Sequence, residues 1–416
     1  MPMIPRDRSP ESSIALLRDP YGFIPERCRR HGSDLFEARL FLRRTICMTG
    51  REAAALFYDP DRFIRRGAPP GRVQKTLFGR GGVQGLDGEA HRHRKAMFMS
   101  LMTPGRIADL AGRTGDEWRR ASRRWASRGR VVLYDEASEV LTRAVCAWAG
   151  LPLDESEVPK RTRELTALFD QGSLVGPGHW WARVNRKRAN AWAGGIIDRV
   201  RAGRLDPPES SAAHIIARHR DPGGALLGRH EAAVELLNVL RPTVAIAVYV
   251  TFAALALHRH PGCRARLRAG EAGHDEWFVQ EVRRFYPFFP AVAARVRHDF
   301  EWKGYRFPGG RLVMLDLHGT DHDARLWDDP EEFRPDRFRG REVGPFELIP
   351  QGGGDHFRDH RCAGEWITIE LTKVAVDLLA RRITYRVPGQ DLQIERSRLP
   401  ALPRSRFVIE EAREAG

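Results

Sequence analysis

Residues 229–258 place the strongest constraint on the fold. The run ELLNVLRPTVAIAVYVTFAALAL has helical length and is apolar on nearly every face. A helix of that kind has to be surrounded by other elements. Its most apolar part, residues 244–257, is shorter than the roughly 20 residues a bilayer requires, so it reads as the middle of a buried helix. The remaining chain can supply the shell, because 42% of the 416 residues are hydrophobic. A chain of this length and composition buries a large core, which excludes wholesale disorder. The first residues, MPMIPRDRSPESSIALLRDP, are charged and proline-spaced and have no apolar segment ahead of a cleavage site. The expectation is a protein without a membrane span, located in the cytoplasm.

Charge narrows the classes further. Sixty-nine basic and fifty-four acidic residues give a formal charge of +15. The basic residues occur as scattered pairs (Arg43-Arg44, Arg65-Arg66, Arg119-Arg120, Arg123-Arg124), mostly with acids nearby. They form neither the clustered stripe nor the reading module of a nucleic-acid binder. The five cysteines (Cys28, Cys47, Cys146, Cys263 and Cys362) are odd in number, widely spaced and without a CxxC pair. A disulfide framework and a structural zinc site are both disfavoured.

Helical spacing recurs at residues 52–58, 114–127, 135–150 and 189–202, before the long helix. Short alternating segments come later. Residues 300–302, 305–307 and 311–315 read as strands joined by Lys303-Gly304 and Pro308-Gly309-Gly310, with another pair near 383–387 and 407–409. No repeat or flexible linker divides the chain. The expected fold is mainly α with a minor β region, built as a single domain over residues 1–416.

Three segments carry chemistry. Residues 346–370, FELIPQGGGDHFRDHRCAGEWITIE, place three glycines, Gly352 to Gly354, where the backbone can approach a flat ligand. Cys362 follows, at the start of a helical run. Helix-terminal amides, with His360 and Arg361 beside it, favour a thiolate and hence a metal ligand. An inert small side chain and an enzymatic nucleophile are the other readings of this cysteine. In WFVQEVRRFYP, Glu281 and Arg284 lie three apart on one helix face among apolar neighbours. In FRPDRF, Arg337 can join them in a three-member network.

In this order and spacing, the three segments closely resemble those of the cytochrome P450 superfamily, which has an E-x-x-R helix, a P-x-R-F segment and a cysteine followed by x-Gly. The resemblance implies the P450 fold and a haem b whose iron is bound by the Cys362 thiolate. The cysteine loop departs from the usual pattern. Asp355 and Arg358 stand where phenylalanine and glycine are customary, and the glycines lie farther upstream.

The long helix departs as well. Most of the superfamily carries an acid–alcohol pair at its centre, whereas this chain has Arg241 and Pro242, and no acid directly precedes Thr243. A buried guanidinium must find an anion, either a protein carboxylate or one brought by a substrate. Pro242 removes a helical hydrogen bond and predicts a kink. The arrangement resembles the bacterial fatty-acid peroxygenase branch, on GGVQGLDGEAHRHRKAMFMSLMTP, VCAWAGLPL, ELLNVLRPTVAIAVY, FVQEVRRFYPFFP, IPQGGGDH and HRCAGEWITIE. The resemblance implies hydroxylation of long-chain fatty acids at the α or β carbon by hydrogen peroxide, with no redox partner protein. A fatty-acid carboxylate on Arg241 then stands in for the absent acid as general base and acid.

The same resemblance assigns further roles. Gln84 lies above the haem, and Phe78 and Phe288 line the substrate cavity. His91 and Lys95, spaced i,i+4 on a helix after Asp87-Gly88, face the haem propionates, as do Arg295 and Arg65. His91 and His93 diverge on that helix and are not a metal pair. The competing readings are a reductase-dependent monooxygenase or an oxidative decarboxylase of the same fold, a non-catalytic haem-binding protein, and a basic nucleic-acid binder.

Overall fold

The computed structural model describes residues 3–68, 71, 74–170 and 177–415. Its principal helices are α1 (Gly88–Met99), α2 (Pro104–Trp125), α3 (Leu133–Ala149), α4 (Val158–Asp170), α5 (Pro177–Arg201), α6 (Arg229–Val244), α7 (Ala247–Arg259), α8 (His274–Phe285) and α9 (Glu365–Asp377). The strands are β1 (Leu35–Leu40), β2 (Arg43–Met48), β3 (Phe63–Ile64), β4 (Arg130–Val132), β5 (Ala291–Val296), β6 (Phe300–Trp302), β7 (Tyr305–Phe307), β8 (Leu312–Asp316), β9 (Ile383–Arg386) and β10 (Val408–Glu414).

The apolar run is the central helix of the fold, in two pieces. By composition Arg229–Arg259 is apolar enough to cross a bilayer, but its most apolar window is 94% buried inside the protein. Helices α3, α4, α5, α8 and α9 pack around it. Trp118, Trp125, Trp148, Tyr249 and Phe252 belong to the same core. Pro242 remains inside α6, and the interruption falls at residues 245–246, one turn beyond the expected position. There Ile246 N–H donates to Thr243 O at 3.2 Å and Val248 N–H to Ala245 O at 3.1 Å, a tightened turn. Two local features bend the segment. Pro242 has no N–H for the Asn238 carbonyl, and the Thr243 hydroxyl bonds back to Val239 O at 2.9 Å.

A five-stranded sheet has the order β1-β2-β8-β5-β3, with only β2 and β8 parallel. A second sheet has the order β4-β10-β9 and joins the two late strands expected from the sequence to β4. The β6–β7 hairpin turns at Lys303 and Gly304, with φ of +50° and +76°. Both residues of this two-residue loop are therefore left-handed, as a twist-matched hairpin needs. Helix α2 begins ten residues earlier than its spacing suggested. Thr103 caps it by accepting from Arg106 N–H at 3.3 Å, and Pro104 occupies the first turn.

Candidate functional site

The cysteine loop is held from below. Cys362 N–H donates to Gln351 O at 3.1 Å. The Gln351 side-chain amide donates to Thr368 Oγ1 at 3.0 Å and lies 3.8 Å from Cys362 Sγ. Glu365, one residue past the Gly364 cap of α9, accepts from Arg361 Nε at 2.6 Å, from His356 Nε2 at 3.0 Å and from Arg283 of α8. The Arg283 charge, with the bonds from His356 and Arg361, holds its carboxyl well below the usual range against the effect of burial.

The network redistributes the charges beside Cys362. The Arg361 charge is spent on Glu365, and burial holds His360 neutral. Burial pushes the Cys362 thiol up and Glu365 adds to this, while Lys95 opposes it. Gly352 and Gly354, with φ of +92° and +89°, serve the loop's own packing. A Cβ on Gly352 would come within 2.8 Å of the Tyr58 hydroxyl, and one on Gly353 within 2.9 Å of Pro345 O. These glycines make room for neighbouring protein.

Helix α1 brings His91 and Lys95 beside this loop. Both are buried, and the His91 ring stacks on His360 with centroids 3.8 Å apart. Lys95 Nζ donates to the carbonyls of Asp359 (3.1 Å) and Arg361. Arg65 is buried nearby, 4.1 Å from the Phe57 ring centre, and donates to Ala293 O at 3.1 Å. Arg295 does not join them. Its Nε donates to Gly67 O at 2.9 Å and its NH1 to Gly310 O at 3.2 Å. His93 diverges as expected and bonds Arg220 O at 2.8 Å.

Arg241 is 6% exposed, and its NH1 has no hydrogen-bond partner among the described residues. Burial pulls its pKa down to about 9, and repulsion from Arg186 adds to this; the Cys362 and Glu235 charges oppose it. A guanidinium does not deprotonate readily in a protein, so this cost is expressed as demand for an anion. Its Cζ lies 6.0 Å from the centre of the Phe78 ring. Phe288 packs on Tyr249 with ring centroids 4.5 Å apart, which sets an aromatic wall on α7. Gln84 borders, with Phe78, a cleft of about 280 Å³.

Several residues of this network escaped the sequence reading. Asn238, one turn before Arg241, donates to Gln84 Oε1 at 3.2 Å and to Glu235 Oε2 at 2.8 Å. Glu235 is fully buried and accepts from Arg94 of α1 at 2.7 Å. A polar side chain at every third position of ELLNVLR was the available signal. Arg186 of α5 donates to Thr76 O and Leu77 O at 3.3 and 3.2 Å, beneath Phe78. Nothing in the sequence pointed to that contact.

Behind the cysteine loop, α8 carries the three-member network. Glu281 and Arg284 are fully buried and form two parallel bonds of 2.8 Å. Arg337 adds a 3.1 Å bond to Glu281, and its remaining donors go to the carbonyls of Asp328, Asp329 and Glu332. The network ties α8 to the segment after Trp327.

A cytochrome P450 profile matches residues 276–402. Among solved structures, the chain is similar to cytochrome P450SP alpha (CYP152B1) in complex with (R)-ibuprofen. The two are 55% identical over 98% of this chain and 100% of that one, with a TM-score of 0.96. It is also similar to cytochrome P450EX alpha (CYP152N1) with myristic acid, at 46% identity over all of both chains and a TM-score of 0.97. The chain belongs to the cytochrome P450 superfamily. Within it, this P450 groups with the CYP152 proteins. Among curated relatives, cytochrome P450 71A8 of Mentha piperita is 25% identical over 287 residues, and the chain spans 56% of its length.

A P450 is an oxidoreductase that carries a haem iron on a cysteine sulfur, and the residues of this P450 fit such a group. Cys362 is the cysteine flanked by buried cations, whereas Cys28, Cys47 and Cys146 lie in the apolar core. Lys95 and Arg65 are buried without a side-chain carboxylate in salt-bridge contact among the described residues, as a propionate-bearing group requires.

Proposed function

We propose that this P450 hydroxylates long-chain fatty acids at the α carbon, and secondarily at the β carbon, with hydrogen peroxide as oxidant and no redox partner protein. Arg241 carries the reading. It is a buried cation with an unpaired donor, within electrostatic reach of Cys362, on a helix without the acid that an oxygen-activating relay needs. Support comes from the two similar structures, whose ligands, (R)-ibuprofen and myristic acid, are both carboxylic acids.

The haem b, held through Cys362 with Lys95, His91 and Arg65 toward its propionates, supplies peroxide activation and C–H oxidation. Arg241 binds the fatty-acid carboxylate through two parallel N–H···O bonds and so neutralises its own buried charge. The carboxylate accepts a proton from hydrogen peroxide and returns it to the departing oxygen, which leaves as water. Gln84, held by Asn238, presents an amide to the same space. Phe78 and Phe288 wall the alkyl chain. Pro242 and the bend after it set the direction in which the Arg241 turn faces. A fixed carboxylate fixes the carbons next to it, which selects the α or β position.

The test is to incubate the haem-loaded protein with myristic acid and hydrogen peroxide, without reductase, and to identify products by mass spectrometry. Hydroxy acids are expected. Hydroxylation only with a reductase and a nicotinamide cofactor would assign a monooxygenase, a terminal alkene would assign a decarboxylase, and haem binding without product would assign a non-catalytic protein.

A further inference from the structure

Helix α5 has two unlike faces. Its inner side is buried, and Arg186 reaches from it to the carbonyls beneath Phe78. Its outer side, near the start, presents Trp180 at 67% exposure, Trp181 at 61% and Val184 at 41%. Large apolar side chains rarely stand this far into water as a group without a partner. The same outer side carries Arg183, Lys187 and Arg188, all exposed. The sequence from residue 177 to residue 197 contains no Asp or Glu.

Among the described residues, some exposed arginines elsewhere are paired and others, such as Arg29 and Arg30, are not. Arg120 bonds Glu117 at 2.8 Å, Arg229 bonds Asp198 at 2.7 Å and Arg128 bonds Glu136 at 2.6 Å. Among the described residues, Arg183, Lys187 and Arg188 form no ion pair. Arg183 instead lies 5.6 Å from the Trp180 ring centre. Tryptophans and a branched aliphatic residue among unpaired cations, with no acid, form the outer face of a helix that lies in a membrane interface.

We infer that the outer face of α5 is a docking surface for an anionic lipid bilayer. Trp180, Trp181 and Val184 enter the headgroup boundary, and Arg183, Lys187 and Arg188 meet the lipid phosphates. A second copy of the chain fits this face less well, because a symmetric contact would oppose three cations to three cations. On its inner side the same helix meets the Thr76–Leu77 backbone through Arg186, and the cleft bordered by Phe78 and Gln84 has the exposed Arg66 and Arg80 in its lining. Docking by this face is independent of the fatty-acid reading.

The experiment is flotation of the haem-loaded protein with vesicles of phosphatidylcholine alone and of a phosphatidylcholine–phosphatidylglycerol mixture. The protein should float with the anionic vesicles and be released by high salt. The double variant Trp180→Ser/Trp181→Ser should lower partitioning by about tenfold or more. Arg183→Glu, Lys187→Glu and Arg188→Glu should each lower it by roughly fivefold. Turnover of a short, water-soluble carboxylic acid should be unchanged in the tryptophan variant, so a failure of docking is separable from a failure of the proposed reaction. Absence of flotation, or equal flotation of the tryptophan variant, would overturn the inference. So would a dimer in light scattering that the tryptophan substitutions dissolve while wild type ignores vesicles.

Discussion

The guanidinium carbon of Arg241 sits 6.0 Å from the centre of the Phe78 ring, with NH1 unpaired. The aromatic face eases the buried charge but does not neutralise it, since a cation–π contact contributes about 1–2 kcal/mol against a larger desolvation cost. Arg241→Ala should therefore reduce peroxide-driven turnover by about 100-fold or more, the loss of two charge-assisted hydrogen bonds. Haem incorporation, read from the absorbance spectrum, should be normal. Arg241→Lys keeps the charge but loses the fork, and should retain part of the fatty-acid affinity. Full activity in the alanine variant would remove Arg241 from the reaction.

The bond from Asn238 to Gln84 sets up a second test. Asn238→Leu would release the Gln84 amide and leave Arg241 untouched. A neutral hydrogen bond contributes about 1 kcal/mol, so turnover should fall roughly fivefold while the fatty-acid dissociation constant, followed by the substrate-induced spectral shift, stays nearly constant. A change confined to the dissociation constant would mean that Gln84 acts on binding only.

Legibility in the sequence followed the range of the interaction. α3, α8 and the β6–β7 hairpin were readable because periodicity or a Lys-Gly turn lies within the segment. β5 was not, since AVAARV takes its strand identity from β8 and from β3, more than 200 residues away; β1 pairs locally with β2, but LFEARL and RRTICM carry charges that mask the alternation. At the site, Cys362, Arg241 and the Glu281–Arg284 pair stand out by residue type. The partners that set their environment do not. Arg94 lies 141 residues from Glu235 and Gln84 lies 154 residues from Asn238. Arg186 meets Thr76 from 110 residues away. Only packing brings these pairs together, so the polar triplet in ELLNVLR gave a direction without naming a partner.

Gly79 tests how Phe78 is placed. It has φ of +83°, and an added Cβ would fall 2.1 Å from Arg186 NH2 and 2.7 Å from a Val234 methyl carbon. Neither neighbour has room to withdraw, because both are buried. Gly79→Ala should cost about 2–3 kcal/mol from strain and overpacking together, measured as a lower midpoint in denaturant. It should also shift the ratio of α to β hydroxylation, since Phe78 is the adjacent residue. An unchanged midpoint would show that Arg186 can leave its place.

Asp316 provides a test of stability that is independent of catalysis. Its carboxyl is buried at the end of β8, accepts from Gly319 N–H at 2.8 Å and Thr49 Oγ1 at 3.2 Å, and has no cation in contact. Burial raises its pKa from 3.8 to about 7, with the two hydrogen bonds opposing. The folded state thus holds this proton more tightly than the unfolded chain does. The stability from this group is complete below pH 4 and is lost as pH rises through 7, by up to about 1.4 kcal/mol for each unit in that window. Asp316→Asn places a neutral group there at every pH. Denaturant midpoints measured from pH 5 to pH 8 should decline in wild type relative to the variant, and the gap should close toward the acid end. Parallel curves would mean that Asp316 stays ionised in the folded protein and that a cation beyond its direct contacts compensates it.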